Sequence, residues 1–312
     1  MGPWDVRVEL RASALNHLDL WVTRGLPEPP SFPHVLGADG AGVVAEVGQA
    51  VEDLLIGAEV VIDPAVSCGR CLECRRGQDP FCPEFQVVGE HRWGTHAEQI
   101  VLPRTNVVAK PGALSWEEAG SFGLVLASAV RMLRRARLAP GERVLVVGAG
   151  GGSASAAFLA AVAQGAEVYA SARSQDAQLW AMAGGAAGVF DPDDVEGLLE
   201  ATSGRGVDVV IDNVGTATFE ASLRMLARGG RLVTNGSTTG RTAELPLPTL
   251  FWRQLELIGA SMNSREEFAE AARLSEDGLR VPVAEAFEFE DYPAALEALR
   301  AGGRIGKFVL SR

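Results

Sequence analysis

The feature that most constrains the fold is a glycine-rich turn within residues 143–173, RVLVVGAGGGSASAAFLAAVAQGAEVYASAR. The apolar run VLVV predicts a short buried strand, and the small residues after the turn predict a helix that packs closely on a sheet. Glycine lets the backbone turn sharply and approach a pyrophosphate that a Cβ would block. Because a second strand follows the helix, the segment predicts a dinucleotide-binding βαβ unit.

The predicted phosphate contacts lie in the turn and at the helix start, where backbone N–H groups and the positive end of the helix dipole face the ligand. They are Gly148, Gly150, Gly151, Gly152, Ser153 and Ala154. NAD recognition usually places an Asp or Glu about 20 residues further on, to hold the ribose 2′-OH. Ser171 and Arg173 stand there instead, so the sequence predicts NADP(H), with NAD(H) as the alternative. A solvated surface role for Arg173 is the other interpretation.

Composition excludes several classes of partner. The chain has 312 residues, enough for two domains, and a formal net charge of −12. An acidic chain without a basic stripe argues against nucleic acid or a membrane surface as partner. The sequence shows neither a basic-then-apolar leader nor an apolar run of about 18 residues. We therefore expect a cytoplasmic protein that acts on a small molecule.

All four cysteines lie in one segment, SCGRCLECRRGQDPFC, as Cys68, Cys71, Cys74 and Cys82. Thiolates at this spacing can surround one tetrahedral zinc ion, and in a reducing cytosol clustered thiols are typical of metal sites rather than disulfides. An iron–sulfur cluster is the alternative, although the spacing before Cys82 does not fit the ferredoxin pattern. Four thiolates leave no open coordination position, so the predicted zinc is structural.

The rest of the chain predicts two kinds of region. Residues 5–62 alternate in DVRVELRAS, GAGVVAEVG and GAEVVID, which predicts a strand-rich region. Later, GVDVVIDNVG and GGRLVTNGS predict two strands of a parallel sheet, with the helix FEASLRMLARGG between them. Asn213, Gly236 and Ser237 follow these strands, at the edge where such sheets bind cofactors. Ser115 and Glu118 predict a helix-capping box, and two amphipathic helices and the strand GKFVL end the chain.

This order of regions resembles the medium-chain dehydrogenases, the zinc-containing alcohol dehydrogenase and quinone oxidoreductase superfamily. ALNHLDLW, HVLGADGAGVV, GTHAE and GKFVL carry the resemblance over essentially the whole chain. It implies an α/β fold with two domains and hydride transfer in the cleft between them. One is a GroES-like β-rich substrate domain (1–127 and 262–312, with the zinc lobe at about 64–84), and the other a Rossmann domain with a doubly wound parallel sheet (128–261). It also implies a homodimer or homotetramer.

The resemblance further implies a stretch before the position of Trp4 that supplies strands of the substrate domain. Either the start of this sequence lies downstream of the true one, or the barrel is incomplete, with exposed strand edges. The resemblance implies a catalytic zinc as well, but the sequence lacks that ion's ligands. Asn16, Ala38 and Leu124 stand at or near the ligand positions, and amide and methyl groups cannot bind zinc tightly. Asp19 and Asp39 match residues that support the metal, and we expect them to organise a metal-free site by hydrogen bonding, as in the quinone oxidoreductase branch.

Three residues are predicted to be catalytic. Asn16 would orient the substrate oxygen, supported by Asp19, and His91 precedes the GTHAE segment that lines the pocket in the family. An imidazole there could deliver a proton. Each also has a purely structural interpretation, and His17, His34 and His96 are weaker candidates. Ser128 matches the Thr that supports the nicotinamide ring in the family.

The sequence therefore predicts an NAD(P)H-dependent oxidoreductase that transfers hydride to a quinone, an enone or an aldehyde or ketone without catalytic zinc. Reducing an enone needs no Lewis acid, because the charge spreads into an enolate that one or two hydrogen-bond donors can hold. One alternative is a zinc-dependent alcohol dehydrogenase with unusual ligands. Another is a non-catalytic NADPH-binding or redox-sensing protein stabilised by structural zinc.

Overall fold

A computed structural model describes all 312 residues and divides into two compact units. The first unit contains Met1–Ala127, Met262–Gly302 and Lys307–Arg312, and the second contains Ser128–Ser261 and Gly303–Gly306. The strands are β1 (Asp5–Ala14), β2 (Ala41–Val47), β3 (Glu59–Ile62), β4 (Ala65–Val66), β5 (Gln86–Val87), β6 (Gln99–Pro103), β7 (Val107–Ala109), β8 (Arg143–Val147), β9 (Glu167–Ser171), β10 (Gly188–Phe190), β11 (Val207–Ile211), β12 (Leu226–Thr234), β13 (Glu256–Gly259), β14 (Val283–Glu288) and β15 (Lys307–Ser311).

The helices are short, and none is both long and apolar enough to cross a membrane. They are α1 (His17–Val22), α2 (Leu72–Arg75), α3 (Trp116–Ala119), α4 (Gly123–Arg135), α5 (Gly152–Ala163), α6 (Gln175–Ala183), α7 (Val195–Ala201), α8 (Phe219–Met225), α9 (Leu247–Arg253), α10 (Arg265–Glu276) and α11 (Tyr292–Ala301). The predicted capping box of Ser115 and Glu118 is present, but it begins only the single turn α3, and α4 starts after a break.

The first unit is built around β1, which fits the alternation of its sequence. Its apolar side chains Val6, Val8 and Leu10 are buried, and they pack with residues of β2, β3 and β6 in one core. The sheet order is β14-β15-β1-β2-β3-β7, with β6 also paired to β1. One edge of β1 pairs with β2, while β6 and β15 share its other edge. The expectation of exposed strand edges is therefore wrong for β1.

The second unit contains a six-stranded sheet in the order β10-β9-β8-β11-β12-β13, and every neighbouring pair is parallel. This is the strand order of a doubly wound Rossmann fold, so the predicted fold class is confirmed. The helix predicted over FEASLRMLARGG is too long, because α8 ends at Met225 and the next residues begin β12. Leu226 is fully buried and pairs with Val207 of β11, so strand pairing outweighs the local helix propensity.

The two predicted C-terminal helices and the closing strand are present in the first unit. Helix α10 begins at a buried capping box, in which Glu267 N–H donates to Ser264 Oγ and Ser264 N–H donates to Glu267 Oε2. Helix α11 buries its apolar face against Phe308 and Leu310 of β15.

Replacing Ser264 with Ala removes the acceptor for a backbone N–H at the start of α10, where Ser264 is 3% exposed. We expect a loss of about 1 kcal/mol in the free energy of unfolding, because the freed N–H has no water to bind. Urea unfolding of the two proteins measures the loss, and Ser115→Ala at the more exposed cap of α3 gives the comparison. An unchanged urea midpoint for Ser264→Ala would contradict this account.

Candidate active site

The candidate site lies in the first unit, where β1 ends and α1 begins, and Asp19 organises its backbone. One carboxylate oxygen of Asp19 accepts from Asn16 N–H at 2.7 Å, and the other accepts from Gly37 N–H at 2.9 Å. Burial by itself would raise the pKa of Asp19, but His96 and these two N–H groups hold the pKa below its usual value. Asp19 is therefore a buried carboxylate that ties the start of α1 to the loop before β2.

Asp39 is the second buried carboxylate of the site, with no exposed surface. Its Oδ1 accepts from Leu124 N–H at 2.5 Å. Its Oδ2 accepts from Asn16 Nδ2 at 2.9 Å and from the ammonium of Lys307 at 3.0 Å. Asp39 thus binds a side chain from the start of α1, the backbone at the start of α4 and the first residue of β15.

The Asn16 carboxamide is 7% exposed, and both of its polar atoms have partners. Its Oδ1 accepts from Lys307 Nζ, and one Nδ2 hydrogen is donated to Asp39. The remaining Nδ2 hydrogen makes only a long contact of 3.4 Å with the carbonyl of Ala14. This hydrogen is the most weakly bonded polar group of the carboxamide.

Beside these carboxylates lies a polar cluster that the sequence reasoning missed, formed by Ser13, Thr95 and His96. The hydroxyls of Ser13 and Thr95 both donate to the backbone carbonyl of Asp39, and Ser13 Oγ lies 2.7 Å from His96 Nδ1. His96 Nε2 lies 3.7 Å from Asp19 Oδ2 and has no hydrogen-bond partner. Only the GTHAE segment, which contains Thr95 and His96, pointed to this cluster in the sequence.

His91 lies apart from this cluster, on the loop that follows β5. Its Nδ1 accepts from Val87 N–H at 3.2 Å and lies 3.7 Å from Glu90, and the side chain is 45% exposed. It shares no hydrogen bond with Asn16 or Asp19. The structure therefore brings Asn16 and Asp19 together but not His91, whose role in proton delivery stays a prediction.

Lys307 is the most informative residue that the sequence reasoning left unassigned. Its side chain is 3% exposed, and it is bonded to Asn16 and Asp39. One signal was available, since Lys307 and Lys110 are the only lysines among 28 basic residues. That count draws attention to the two lysines but does not show what either of them contacts.

The four cysteines converge as the spacing predicts. Their sulfur atoms all lie within 4.8 Å of one another, and Cys68 Sγ is 3.9 Å from Cys74 Sγ. A tetrahedral zinc with Zn–S bonds of about 2.3 Å requires sulfur separations of about 3.8 Å, so this cluster fits a structural zinc. Backbone N–H groups of Arg70 and Cys71 lower the pKa of Cys68 to about 6, which favours the thiolate that zinc binds.

In the second unit the glycine turn has the backbone that a dinucleotide cradle needs. Gly148 has a φ of +71°, which an L-residue rarely adopts, and a Cβ at Gly150 would lie 3.1 Å from the Ala177 side chain. Gly151 is the N-cap of α5, so Gly152, Ser153 and Ala154 form its first turn. The free N–H groups of this turn can bind a pyrophosphate.

The remaining predicted cofactor contacts lie in two places. Gly236 and Ser237 follow β12 next to Asn213, which follows β11, and the buried Asn213 Nδ2 has no hydrogen-bond partner. Asn213 Oδ1 accepts from Asn235 N–H at 3.0 Å, so only Nδ2 is free, and a buried donor at this sheet edge fits a ligand that accepts a hydrogen bond there. Ser128 is buried within α4, and the structure gives it no distinctive contact.

Two residues at the end of β9 are predicted to contact a 2′-phosphate, and they differ in exposure. Ser171 is 1% exposed, and its hydroxyl accepts from Gly148 N–H at 3.3 Å. Its side chain therefore stabilises the glycine turn. Arg173 is exposed and makes no ion pair within the chain. Of the two, only Arg173 is exposed, and its contact with a 2′-phosphate stays a prediction.

Comparison with known proteins agrees with this architecture. Residues 2–112 match the alcohol dehydrogenase GroES-like domain family, and residues 152–277 match the zinc-binding dehydrogenase family. The chain is 30% identical to an NAD-dependent alcohol dehydrogenase of Sulfolobus acidocaldarius, over 99% of this chain and 93% of that protein. This chain belongs to the medium-chain dehydrogenase/reductase superfamily.

Two further relatives show the range of the superfamily. An acryloyl-coenzyme A reductase of Metallosphaera sedula is 30% identical over 98% of this chain and 92% of that protein. A solved structure of an NAD-dependent alcohol dehydrogenase is 41% identical, covers 100% of this chain and 92% of its own, and superposes with a TM-score of 0.96. The protein is an oxidoreductase of the dehydrogenase/reductase type.

As a medium-chain dehydrogenase, the protein differs from the zinc-catalytic pattern at the candidate site. Of the three ligand positions, only Asn16 offers a donor oxygen, and that oxygen accepts from the ammonium of Lys307. Ala38 and Leu124 have no ligating side chain, and the four cysteines of the lobe are the one group of three or more His, Cys, Asp or Glu side chains that converges. These residues do not fit a second tightly bound zinc.

We predict one zinc per chain, held by Cys68, Cys71, Cys74 and Cys82. Replacing any one of them with Ser opens the closed shell, so the variant should lose its zinc and unfold at a lower temperature while its cofactor affinity is nearly retained. Elemental analysis, thermal unfolding and cofactor titration measure the three effects. Two zinc ions per wild-type chain would contradict the metal-free candidate site.

Proposed function

We propose that the protein is an NADP(H)-dependent reductase of an activated double bond or carbonyl, such as a quinone, an enone, or an aldehyde or ketone, and that it works without catalytic zinc. The observation that carries this proposal is the hydrogen-bonded network of Asn16, Asp39 and Lys307, which stands where the superfamily resemblance places a metal and its ligands. The network supplies one hydrogen-bond donor for a substrate oxygen rather than a Lewis acid.

The chemistry that suits such a site is addition to a conjugated double bond. A nicotinamide cofactor held by the glycine turn at Gly148–Gly152 would supply a hydride, with its electron pair, to the β-carbon as the carbon–carbon π bond breaks. The charge then rests on the enolate oxygen, where the Asn16 N–H can hold it. Water or the imidazole of His91 can donate the proton that the α-carbon then takes up. Ser128 is the residue predicted to contact the nicotinamide ring.

The relatives support both this proposal and one alternative. The acryloyl-coenzyme A reductase is named for a substrate with a conjugated double bond, the bond type proposed here. The NAD-dependent alcohol dehydrogenase favours alcohol oxidation as the second candidate, which without a metal has to remove the hydroxyl proton by other means. A homodimer or homotetramer and a cytoplasmic location stay predictions.

The experiment that tests the function is a screen of NADPH and NADH oxidation on protein of known metal content, against quinones, enones, aldehydes and ketones. The reverse reaction is screened with alcohols. Turnover of an enone or quinone with one zinc per chain supports the proposal. Turnover of alcohols that depends on a second zinc favours the alternative, and absence of turnover favours a non-catalytic NADPH-binding protein.

Replacing Asn16 with Ala should lower the turnover number on the best substrate by roughly ten- to a thousandfold, the scale for removing one donor to a developing oxyanion. NADPH affinity should change little, because the amide acts on the substrate oxygen. Steady-state kinetics and NADPH titration separate the two effects. Asn106→Ala, which removes another buried amide of the same unit, is the control for lost stability. Unchanged turnover would remove Asn16 from the mechanism.

Replacing Arg173 with Glu should weaken NADPH binding by roughly ten- to a hundredfold and leave NADH binding level or improved. A charge-assisted contact to a 2′-phosphate accounts for a change of this size, and the reversed charge repels that phosphate. Titration with both cofactors measures the change. Arg224→Glu, a charge reversal at another exposed arginine of the second unit, which pairs with Glu196, is the control for the change in net charge. Equal loss for NADPH and NADH would show that Arg173 does not select the cofactor.

A further inference from the structure

Lys307 is a charged side chain that the proposed reaction does not yet use. It is the first residue of β15, which pairs with both β14 and β1. Its ammonium is almost completely buried and contacts two side chains of the site, Asn16 and Asp39. A buried ammonium is costly unless it is paired and hydrogen-bonded, so its position is set by these two partners.

The hydrogen-bonding chemistry of the two neighbours determines how the Asn16 carboxamide is oriented. An ammonium only donates, and a carboxylate only accepts. The Lys307 ammonium therefore requires Oδ1 on its side, and the Asp39 carboxylate requires Nδ2 on the other. If the amide turned by half a rotation, Oδ1 would face the carboxylate and Nδ2 would face the ammonium. Both contacts would then be repulsive, so only one orientation is stable.

We propose that Lys307 is a positioning residue that locks the Asn16 carboxamide in the orientation that presents Nδ2 to the substrate oxygen. The ammonium supplies a fixed positive charge at a site whose residues do not fit a second zinc ion. By polarising the amide through Oδ1, the ammonium also strengthens the Nδ2–H donor. This inference rests on the proposed function, because it names the residue through which Asn16 acts.

The first test compares Lys307→Met, which keeps the length of the side chain but removes the charge, with Lys307→Arg, which keeps the charge. Lys307→Met should lower kcat by about the same factor as Asn16→Ala, roughly ten- to a thousandfold, with a smaller change in KM. Lys307→Arg should recover part of the loss. Lys110→Met is the matched control, because Lys110 is a similarly buried lysine that pairs with Glu59 away from the site. Unchanged kcat in Lys307→Met would overturn the proposal.

The second test asks whether Lys307 acts through Asn16. In the double variant Asn16→Ala with Lys307→Met, kcat should be no more than about twofold below the slower single variant, because both changes remove the same interaction. If the double variant loses kcat by the product of the two single-variant losses, Lys307 acts on the substrate independently of Asn16. That result contradicts a positioning role.

A third measurement needs no turnover. The side-chain amide protons of Asn16, identified in an NMR spectrum by their absence in Asn16→Ala, should exchange with solvent at least about tenfold faster in Lys307→Met than in the wild type. Exchange at the wild-type rate would overturn the inference even if the reductase activity is confirmed. If Lys307→Met fails to fold, the same exchange is compared between Asp39→Asn and the double variant Lys307→Met with Asp39→Asn, which leaves no buried charge unpaired.

Discussion

The Asp39 carboxylate is the group on which the candidate site depends. Through one side chain it binds the amide of Asn16, the backbone of Leu124 and the ammonium of Lys307. Its backbone carbonyl accepts from Ser13 as well. Removing one partner of a buried, hydrogen-bonded charge pair typically costs about 3–5 kcal/mol, so each of these segments is held in place by the others. These contacts all form within the chain itself.

The zinc lobe is held by a separate set of contacts, which explains why it can be structural. Asp79 accepts from Ser67 Oγ and from Arg265 N–H, and Arg265 also donates to Ser67. These bonds fasten the lobe to the start of α10. None of them involves Asp39 or Asn16, so a zinc ion held by the four cysteines would support the first unit without entering the network of the candidate site.

In the second unit, local backbone geometry accounts for most of the cofactor cradle. The positive φ of Gly148 and the close approach of Gly150 to Ala177 are properties of the turn itself. Two contacts from residues further along the chain stabilise that turn. Ser171 Oγ accepts from Gly148 N–H, and Gly306 N–H donates to the carbonyl of Gly150 at 3.0 Å. At the sheet edge, the buried Nδ2 of Asn213 has no hydrogen-bond partner.

The local sequence pattern was sufficient to predict those elements whose residues contact near neighbours along the chain. The alternation of β1, the glycine turn and the cysteine spacing indicated the strands, the dinucleotide unit and the metal lobe, because each depends on residues within about one element of one another. Strand pairing can outweigh the local pattern. At Leu226 the sequence predicted a helix, but pairing with β11 makes this residue part of a strand.

The sequence by itself therefore determined the fold class, the superfamily resemblance, the positions of the four predicted zinc ligands and the absence of the usual catalytic ligand set around Asn16. Only the tertiary structure decided what replaces that set. Lys307 lies 291 residues from Asn16 and 268 from Asp39, and no local periodicity links positions so far apart. The pairing of β15 with β1 brings the ammonium to the amide, and the cost of burying a charge without partners then fixes the contact.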